Sequence, residues 1–240
     1  MLNDIKIEDV LFLDIETVPQ CATYDDVKSP LQVLWDKKSS YFRDDDQSAS
    51  DVYGRAGIYA EFGKIVCISV GFITIKDNQK WFRAKSFYGD DEARLLSDFG
   101  SLVDLFCKKP QRNMCAHNGK DFDFPFIARR MLIHGIPLPD VLDVAGKKPW
   151  EIKFLDTMEL WRFGSYKHNA SLALLCEVFE IPTPKDDIDG SMVSQVYWEE
   201  RDLDRIAVYC EKDILATAQV FLRLRGEGLI PQQNFERVLL

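Results

Sequence analysis

Apolar residues in the first ninety positions follow the period of β-strands and predict three of them. Residues 9–16 are apolar enough for a central strand of a sheet, and residues 64–75 form a longer apolar run. Asp77-Asn78 supplies turn residues after that run, and residues 80–88 alternate between apolar and polar side chains. We therefore expect residues 64–75 and 80–88 to pair as a hairpin.

A long insertion, at about residues 20–60, separates the first two predicted strands. Its hydrophobic pattern is weak and indicates a short helix only around residues 31–41. Residues 39–57 include three consecutive aspartates and several serines, and we predict that they form a mobile surface loop. A long loop beside a functional site is often a lid, but an insertion without function is at least as common. The pattern leaves both interpretations open.

Helical periodicity dominates the rest of the chain. Helices are predicted over residues 90–108, 124–134, 171–179 and 203–225, and short strands over residues 112–117 and 152–156. A hairpin followed by strands that alternate with helices predicts an α/β fold, in which helices cover a mixed sheet. The length of 240 residues suits one large domain, so we expect residues 1–240 to form a single domain.

Composition and charge narrow the class of protein. Hydrophobic residues make up 46% of the chain, enough for a substantial core, but no apolar run suits a membrane span and no signal peptide is visible. The six cysteines are scattered and form no Cys-x-x-Cys pair, which favours free thiols and a cytoplasmic location. A net charge of −9 argues against a protein that coats duplex nucleic acid. It leaves room for an enzyme that takes a strand end into a local site.

The first predicted strand carries two carboxylates, Asp14 and Glu16, with Ile15 between them. Side chains alternate along a strand, so both acids face the same side, roughly 7 Å apart along the backbone. Two neighbouring anions repel each other unless a cation lies between them, and Mg²⁺ and Mn²⁺ prefer carboxylate oxygens. The alternative is a strand end whose acids face water, and the pair alone favours that alternative.

A second acidic segment follows the predicted strand 112–117 and opens a helix, a position where loops often carry function. It contains Asp121 and Asp123. Either aspartate could be a metal ligand or an acidic cap at the helix N-terminus, and the segment alone favours a cap.

A third candidate lies in the long helix predicted over residues 203–225. Tyr209 and Asp213 are four residues apart, so they share one face of the helix, about 6 Å apart along its axis. Ile206 and Ala216 lie on the same face, which should therefore point inward. An inward aspartate needs a partner or a metal ion. A buried structural Tyr–Asp pair and a functional pair are equally compatible with this pattern.

Taken in order, the three segments resemble the DEDD superfamily of 3′–5′ exonucleases. That superfamily has Asp-x-Glu on a first strand, Asn-x-x-x-Phe-Asp in the middle and, in its tyrosine branch, Tyr-x-x-x-Asp on a late helix. The matching segments here are residues 14–16, 118–123 and 209–213. Residues 59–66, and nearly the whole chain, also resemble stand-alone predicted exonucleases related to the proofreading domain of family-B DNA polymerases.

This resemblance implies a fold, a metal site and a set of substrate contacts. The fold is ribonuclease-H-like, with a central five-stranded mixed sheet whose second strand is antiparallel. Two Mg²⁺ or Mn²⁺ ions would be held by Asp14, Glu16, Asp123 and Asp213, while Tyr209 would orient the attacking water. Thr17 and Asn118 match positions that contact the terminal nucleotide in similar domains, and Phe122, the third expected substrate contact, matches an aromatic neighbour of the metal aspartate. The spacing favours Asp123 over Asp121 as the metal ligand, and the role of Asp156 stays open.

The expected chemistry is hydrolysis of a phosphodiester bond. Two metal ions roughly 3.5–4 Å apart can activate a water, offset the phosphate charge and stabilise the leaving 3′ oxygen. Tyr209, with an ordinary pKa near 10, is a poor base at neutral pH and is expected to position the water. We therefore expect an exonuclease that releases nucleoside monophosphates from the 3′ ends of single-stranded DNA. The alternatives are an RNA exonuclease on the same scaffold and, less favoured, a catalytically silent module that binds nucleic acid or protein.

Overall fold

A computed structural model describes residues 2–165, 167–182 and 188–238, and its centre is a six-stranded mixed sheet. The strands are β1 (Val10–Pro19), β2 (Gly63–Lys76), β3 (Gln79–Tyr88), β4 (Asn113–Ala116), β5 (Leu155–Asp156) and β6 (Phe235–Arg237). Their order across the sheet is β5-β4-β1-β2-β3-β6. β2 is antiparallel to both β1 and β3, and the remaining pairs are parallel.

The predicted α/β fold class is confirmed, including the antiparallel second strand and the hairpin of β2 and β3. The predicted count of five strands is wrong by one, because β6 adds a short parallel edge beside β3. Three partly buried residues form it, and the Val238 amide continues the pairing by donating to the Ala84 carbonyl over 2.8 Å. A strand of this length is too short to show a two-residue period, so its pairing comes from tertiary contact.

Helices lie on both faces of the sheet. They are α1 (Ser29–Ser39), α2 (Glu92–Cys107), α3 (Asp123–Ile133), α4 (Thr157–Arg162), α5 (Leu172–Val178), α6 (Val193–Gln195), which continues into a π-helical turn (Val196–Glu200), and α7 (Leu203–Leu224). The sequence pattern predicted α1, α2, α3, α5 and α7 to within a few residues and missed α4 and α6. Among the described residues, none of these helices combines the length and apolarity that crossing a membrane requires.

The alternation of side chains along β1 assigns its two faces. Leu11, Leu13 and Ile15 are buried in a core shared with α2 and α3, whereas Val10 and Phe12 pack against residues of α7. Asp14 and Glu16 continue the second series and therefore point toward α7. Strand alternation and the two helical layers together direct both acids to one interface, between the sheet and α7.

The insertion between β1 and β2 has a core of its own around Trp35. This indole is fully buried, donates to the Ala49 carbonyl over 2.8 Å and lies edge-on to Phe42, Tyr53 and Phe62. The aromatic residues of this segment thus hold it together, as aromatic anchors do in protein cores.

A buried ion pair joins α2, α3 and the start of β2. The Arg130 guanidinium donates to both oxygens of Glu92, over 2.8 and 2.6 Å, and to the Ala60 carbonyl over 2.8 Å. Glu92 also accepts the Ile65 amide over 2.7 Å, and the His134 ring lies 2.7 Å from its second oxygen. Although burial opposes ionisation of Glu92, the hydrogen bonds and charge of Arg130 hold the pKa of this carboxyl below its ordinary value.

Candidate active site

Asp14 and Glu16 meet Cys210 of α7 at the interface that the alternation of β1 defines. One ligand atom from each of the three residues lies within 4.8 Å of the others. Glu16 is only 8% exposed. The thiol of Cys210 donates to Asp14 Oδ2 over 3.3 Å and lies 3.4 Å from the Asp14 carbonyl oxygen. The two acids are thus enclosed on the α7 side by a cysteine.

Asp123 reaches this interface from the first turn of α3. Its Oδ1 accepts a hydrogen bond from the Ile15 amide over 3.2 Å, and the residue is 3% exposed. The pairing of β1 with β4 covers residues 10–12 only, so the Ile15 amide lies beyond the end of that ladder. The Asp123 carboxylate thus accepts the β1 amide that a backbone carbonyl would accept if the β1–β4 pairing continued.

Asp121, the alternative ligand in the same segment, is exposed to solvent. The N-cap position of α3 is Phe122, and no side chain caps this helix. The structure therefore disagrees with the capping interpretation of both aspartates: Asp123 is bound to β1, and Asp121 lies on the surface.

α7 brings Tyr209 and Asp213 to the same interface. The Tyr209 hydroxyl donates to the Asp213 carboxylate. The charge of Asp213 in turn raises the pKa values of Asp14, Glu16 and Asp123, which places it within electrostatic reach of all three. Tyr209 therefore occupies the outer part of a four-carboxylate cluster that is drawn from β1, α3 and α7.

Burial and mutual repulsion make the ionised cluster unfavourable without a cation. Burial, reinforced by the neighbouring acids, holds the pKa values of Asp14 and Glu16 well above their ordinary range. Burial, reinforced by Asp156 and Asp213, raises the pKa of Asp123 to about 7 although the Ile15 amide opposes the change. In the part of the chain that the structure describes, no group donates a hydrogen bond to the Glu16 carboxylate. An oxygen-rich, uncompensated cluster of this kind fits divalent Mg²⁺ or Mn²⁺.

The three predicted substrate-contacting residues lie on the elements that carry the acids. Thr17 follows Glu16 directly, past a register shift between β1 and β2. Asn118 has a left-handed backbone (φ 61°), and its carbonyl accepts the Asp121 and Phe122 amides, which closes the turn before α3. The Phe122 ring is partly buried against Phe126, with ring centroids 5.4 Å apart.

Asp156, whose role the sequence left open, organises that turn. Its carboxylate accepts the amides of Asn118 and Lys120, both over 3.0 Å, and caps the N-terminus of α4 through the Met158 and Glu159 amides. The sequence signal for a cap was present, since Asp156 precedes Glu159 by three residues at the start of a helix. All of these bonds are to backbone groups, so Asp156 holds the loop that leads to Asp123.

Cys67 and a row of polar side chains extend from the acids into the sheet. Cys67 pairs with Glu16 across β1 and β2, and its thiol lies beside that of Cys210 and 3.7 Å from the Ser69 hydroxyl. Ser69, two residues further along β2, bonds to Ser86 over 2.8 Å, and Ser86 donates to Glu211 of α7 over 2.6 Å. Sequence reasoning treated the cysteines only as buried free thiols and missed their contact with the acids.

Comparison with known proteins identifies a matching family. The sequence model of a family described as predicted 3′–5′ exonucleases related to the exonuclease domain of PolB matches residues 58–238. That range includes Asp123, Tyr209 and Asp213 and begins after Asp14 and Glu16. No curated protein gives a significant match.

A similar solved structure is the family B DNA polymerase from the hyperthermophilic archaeon Pyrobaculum calidifontis, with 18% sequence identity and a TM-score of 0.52. The match covers 89% of this chain and 24% of the polymerase chain. The chain thus spans about a quarter of that polymerase, and at this identity the similarity is one of fold.

Proposed function

The chain belongs to the family of predicted 3′–5′ exonucleases related to the exonuclease domain of PolB, and from this membership we propose that it degrades single-stranded DNA from the 3′ end with two Mg²⁺ or Mn²⁺ ions. The observation that carries the proposal is the convergence of Asp14, Glu16, Asp123 and Asp213 on one buried interface. Carboxylates at this density require positive charge, and a phosphodiesterase supplies it as metal ions.

The four carboxylates are the proposed metal ligands. When bound, the ions would offset the charge of the phosphate, activate a water and stabilise the leaving 3′ oxygen. Asp123 is held in place by the Ile15 amide and Asp14 by the Cys210 thiol, so neither acid has to reorganise when a cation arrives. Thr17, Asn118 and Phe122 are the proposed contacts to the terminal nucleotide, because Thr17 and Phe122 adjoin Glu16 and Asp123 and Asn118 closes the turn that leads to Asp123.

Residues 1–240 are proposed to work as a single domain. The insertion packs around Trp35, and the Ala60 carbonyl at its end accepts a hydrogen bond from Arg130 of α3 over 2.8 Å. All six cysteines are free thiols, which suits the reducing cytoplasm proposed as its location.

A digestion assay with end-labelled oligonucleotides tests the proposed function. Single-stranded DNA labelled at its 5′ end should give a ladder that shortens with time, while a 3′ label should appear at once as the mononucleotide. EDTA should stop both reactions, and the Asp14→Ala variant should be inactive. Activity of Asp14→Ala equal to that of the unmodified protein, or activity that survives EDTA, would refute the assignment.

An RNA oligonucleotide of the same sequence separates the proposed substrate from its closest alternative. Metal ions and carboxylates act on the phosphate, which both nucleic acids share, so discrimination must come from contacts at the 2′ position. Faster digestion of DNA supports the proposal, whereas faster digestion of RNA replaces DNA by RNA as the substrate. Binding of either strand without cleavage would indicate a silent module.

Tyr209→Phe is expected to lower the exonuclease rate by about 10- to 100-fold, the range typical for groups that orient metal ligands. Burial, with the charges of Asp213 and Glu16, raises the pKa of Tyr209 above its ordinary range, so the phenol stays protonated and acts as a hydrogen-bond donor. The pH–rate profile of the variant should therefore keep its shape while its amplitude falls. A profile that loses its basic limb would show instead that Tyr209 transfers a proton.

Mg²⁺ or Mn²⁺ is expected to raise the melting temperature, by an amount that grows as the pH rises from about 5 to about 8. Below the ordinary carboxyl pKa of about 4, the acids are protonated in both the folded and the unfolded protein. As the pH rises toward the folded-state pKa of Asp123, about 7, the unfolded chain ionises first and the metal-free fold loses stability.

Because metal binding favours the ionised acids, it should remove this loss. Thermal unfolding followed by circular dichroism, with EDTA or with millimolar Mg²⁺ across this pH range, measures the effect. Absence of a shift at millimolar metal would count heavily against the site, and Asp14→Ala, which lacks one ligand, should show a smaller shift.

A further inference from the structure

Two cysteine thiols, those of Cys210 and Cys67, lie beside Asp14 and Glu16 of the candidate active site. Cys210 Sγ lies 3.3 Å from Asp14 Oδ2, and a Glu16 oxygen completes a set of three ligand atoms within 4.8 Å of one another. Cys67 adds a second sulfur, because its thiol contacts that of Cys210. The sites that hold Mg²⁺ in proteins use oxygen ligands, so these two buried thiols are not explained by the proposed reaction.

The Glu16 carboxylate points to a missing ligand in this sulfur-containing cluster. It is 8% exposed, and within the described ranges of the chain no residue donates a hydrogen bond to it. Buried carboxylates are normally satisfied by donors or cations, so a group this enclosed and uncompensated is suited to binding a metal ion.

We propose that Cys210, Asp14 and Glu16 form a site for a thiophilic divalent cation, such as Zn²⁺ or Cd²⁺, and that its occupation inhibits the enzyme. The binding stands on the geometry of the three residues alone. The inhibition rests on the proposed function, because the thiophilic cation would take two carboxylates that Mg²⁺ or Mn²⁺ needs.

The dimensions of the cluster suit a tetrahedral ion. With Zn–S near 2.3 Å and Zn–O near 2.1 Å, sulfur and oxygen ligands of one zinc ion lie about 3.6 Å apart. The 3.3 Å from Cys210 Sγ to Asp14 Oδ2 is close to that separation, and the ligand atoms of all three residues lie within 4.8 Å of one another. Soft thiolate ligands favour Zn²⁺ and Cd²⁺ over Mg²⁺ and Mn²⁺, and the thiol proton passes to solvent as the metal binds.

Titration of the reduced, metal-free protein with Cd²⁺ tests the binding without any measurement of nuclease activity. Cadmium bound to a thiolate has an ultraviolet charge-transfer absorption, which should saturate in the unmodified protein and disappear in Cys210→Ser. Cys107→Ser is the matched control, since this cysteine is partly buried at the end of α2 and should leave the band intact. An unchanged band in Cys210→Ser, or no band in the unmodified protein, would overturn the proposal.

Cys210→Ala provides the same test if the serine variant fails to fold, because alanine removes the sulfur without placing a hydroxyl beside Asp14. Loss of the band in a folded alanine variant supports the proposal, and retention overturns it. Circular dichroism establishes that each variant is folded before the titration.

Inhibition is measured with Zn²⁺ added to reactions that contain saturating Mg²⁺, each rate being compared with that of the same variant without Zn²⁺. The unmodified protein and Cys107→Ser should be inhibited at a concentration about 10- to 100-fold lower than Cys210→Ser. Equal sensitivity of all three would refute the inhibitory role. If none of them degrades nucleic acid, the proposed function fails, while the cadmium titration still decides whether the thiolate site exists.

Discussion

Asp123→Asn is expected to lower the exonuclease rate by about three orders of magnitude and, at the same time, to raise the melting temperature of the metal-free protein. The rate falls because a ligand is lost from a site whose charge stabilisation is worth several kcal/mol, and each 1.36 kcal/mol is about a factor of ten. The stability rises because burial and the neighbouring acids oppose ionisation of Asp123, and asparagine removes that cost. Its oxygen still accepts the Ile15 amide, so the local structure is kept.

The matched control for this variant is Asp121→Asn, two residues away on the surface of the same segment. It removes the same charge from the chain but none from the buried cluster, so both activity and melting temperature should stay close to those of the unmodified protein. Initial rates on labelled DNA and thermal unfolding in EDTA measure the two effects. Equal losses of activity in both variants would mean that Asp123 has no special role, and a lower melting temperature for Asp123→Asn would contradict the repulsion argument.

Arg130→Met is expected to lower the free energy of unfolding by about 3–5 kcal/mol, the usual cost of removing one partner of a buried ion pair. The guanidinium makes two hydrogen bonds to Glu92 and one to the Ala60 carbonyl, and both charged residues are buried. Methionine fills much of the volume but leaves the Glu92 carboxylate enclosed without its cation. The remaining donors, the Ile65 amide and His134, do not carry a permanent charge.

Urea unfolding at neutral pH measures this change, and Arg129→Met is the control, because the neighbouring arginine is exposed. Its substitution should change stability by no more than about 0.5 kcal/mol, as is usual at the surface. Adding Glu92→Gln to Arg130→Met should recover part of the lost stability, since the unpaired charge is then removed. If the double variant is no more stable than Arg130→Met, the cost is one of packing and not of charge.

Much of the fold was predictable because its main elements carry strong periodic signals. β2 and β3 are long, apolar and separated by a turn, and α7 keeps an inward face over six turns. The same periodicity made the candidate site predictable from the sequence. Asp14, Glu16 and the Tyr209–Asp213 pair place polar or charged side chains on faces that are otherwise apolar, and buried faces rarely contain such groups.

The rest of the fold depends on contacts between distant segments. β6 has three residues, too few for a pattern, and exists because it pairs with β3, whereas the strand predicted over residues 152–156 is confirmed only as the two residues of β5 that pair with β4. The insertion has little periodicity, since its order comes from rings that gather around Trp35. Likewise, the proximity of Cys210 to Asp14, across 196 positions of sequence, has no local signal. Packing alone determines these features.

The early end of the β1–β4 pairing determines where Asp123 can bind β1. Had the β1–β4 ladder continued, the Ile15 amide would be bonded to a backbone carbonyl, and Asp123 would have no anchor at the interface. Asp156 fixes the turn of residues 117–122 by accepting two of its backbone amides. The turn therefore brings the chain back to β1 at the point where the Ile15 amide has no partner in β4. The proposed chemistry is therefore located where the β1–β4 pairing stops, because the backbone amide left open there holds the Asp123 side chain.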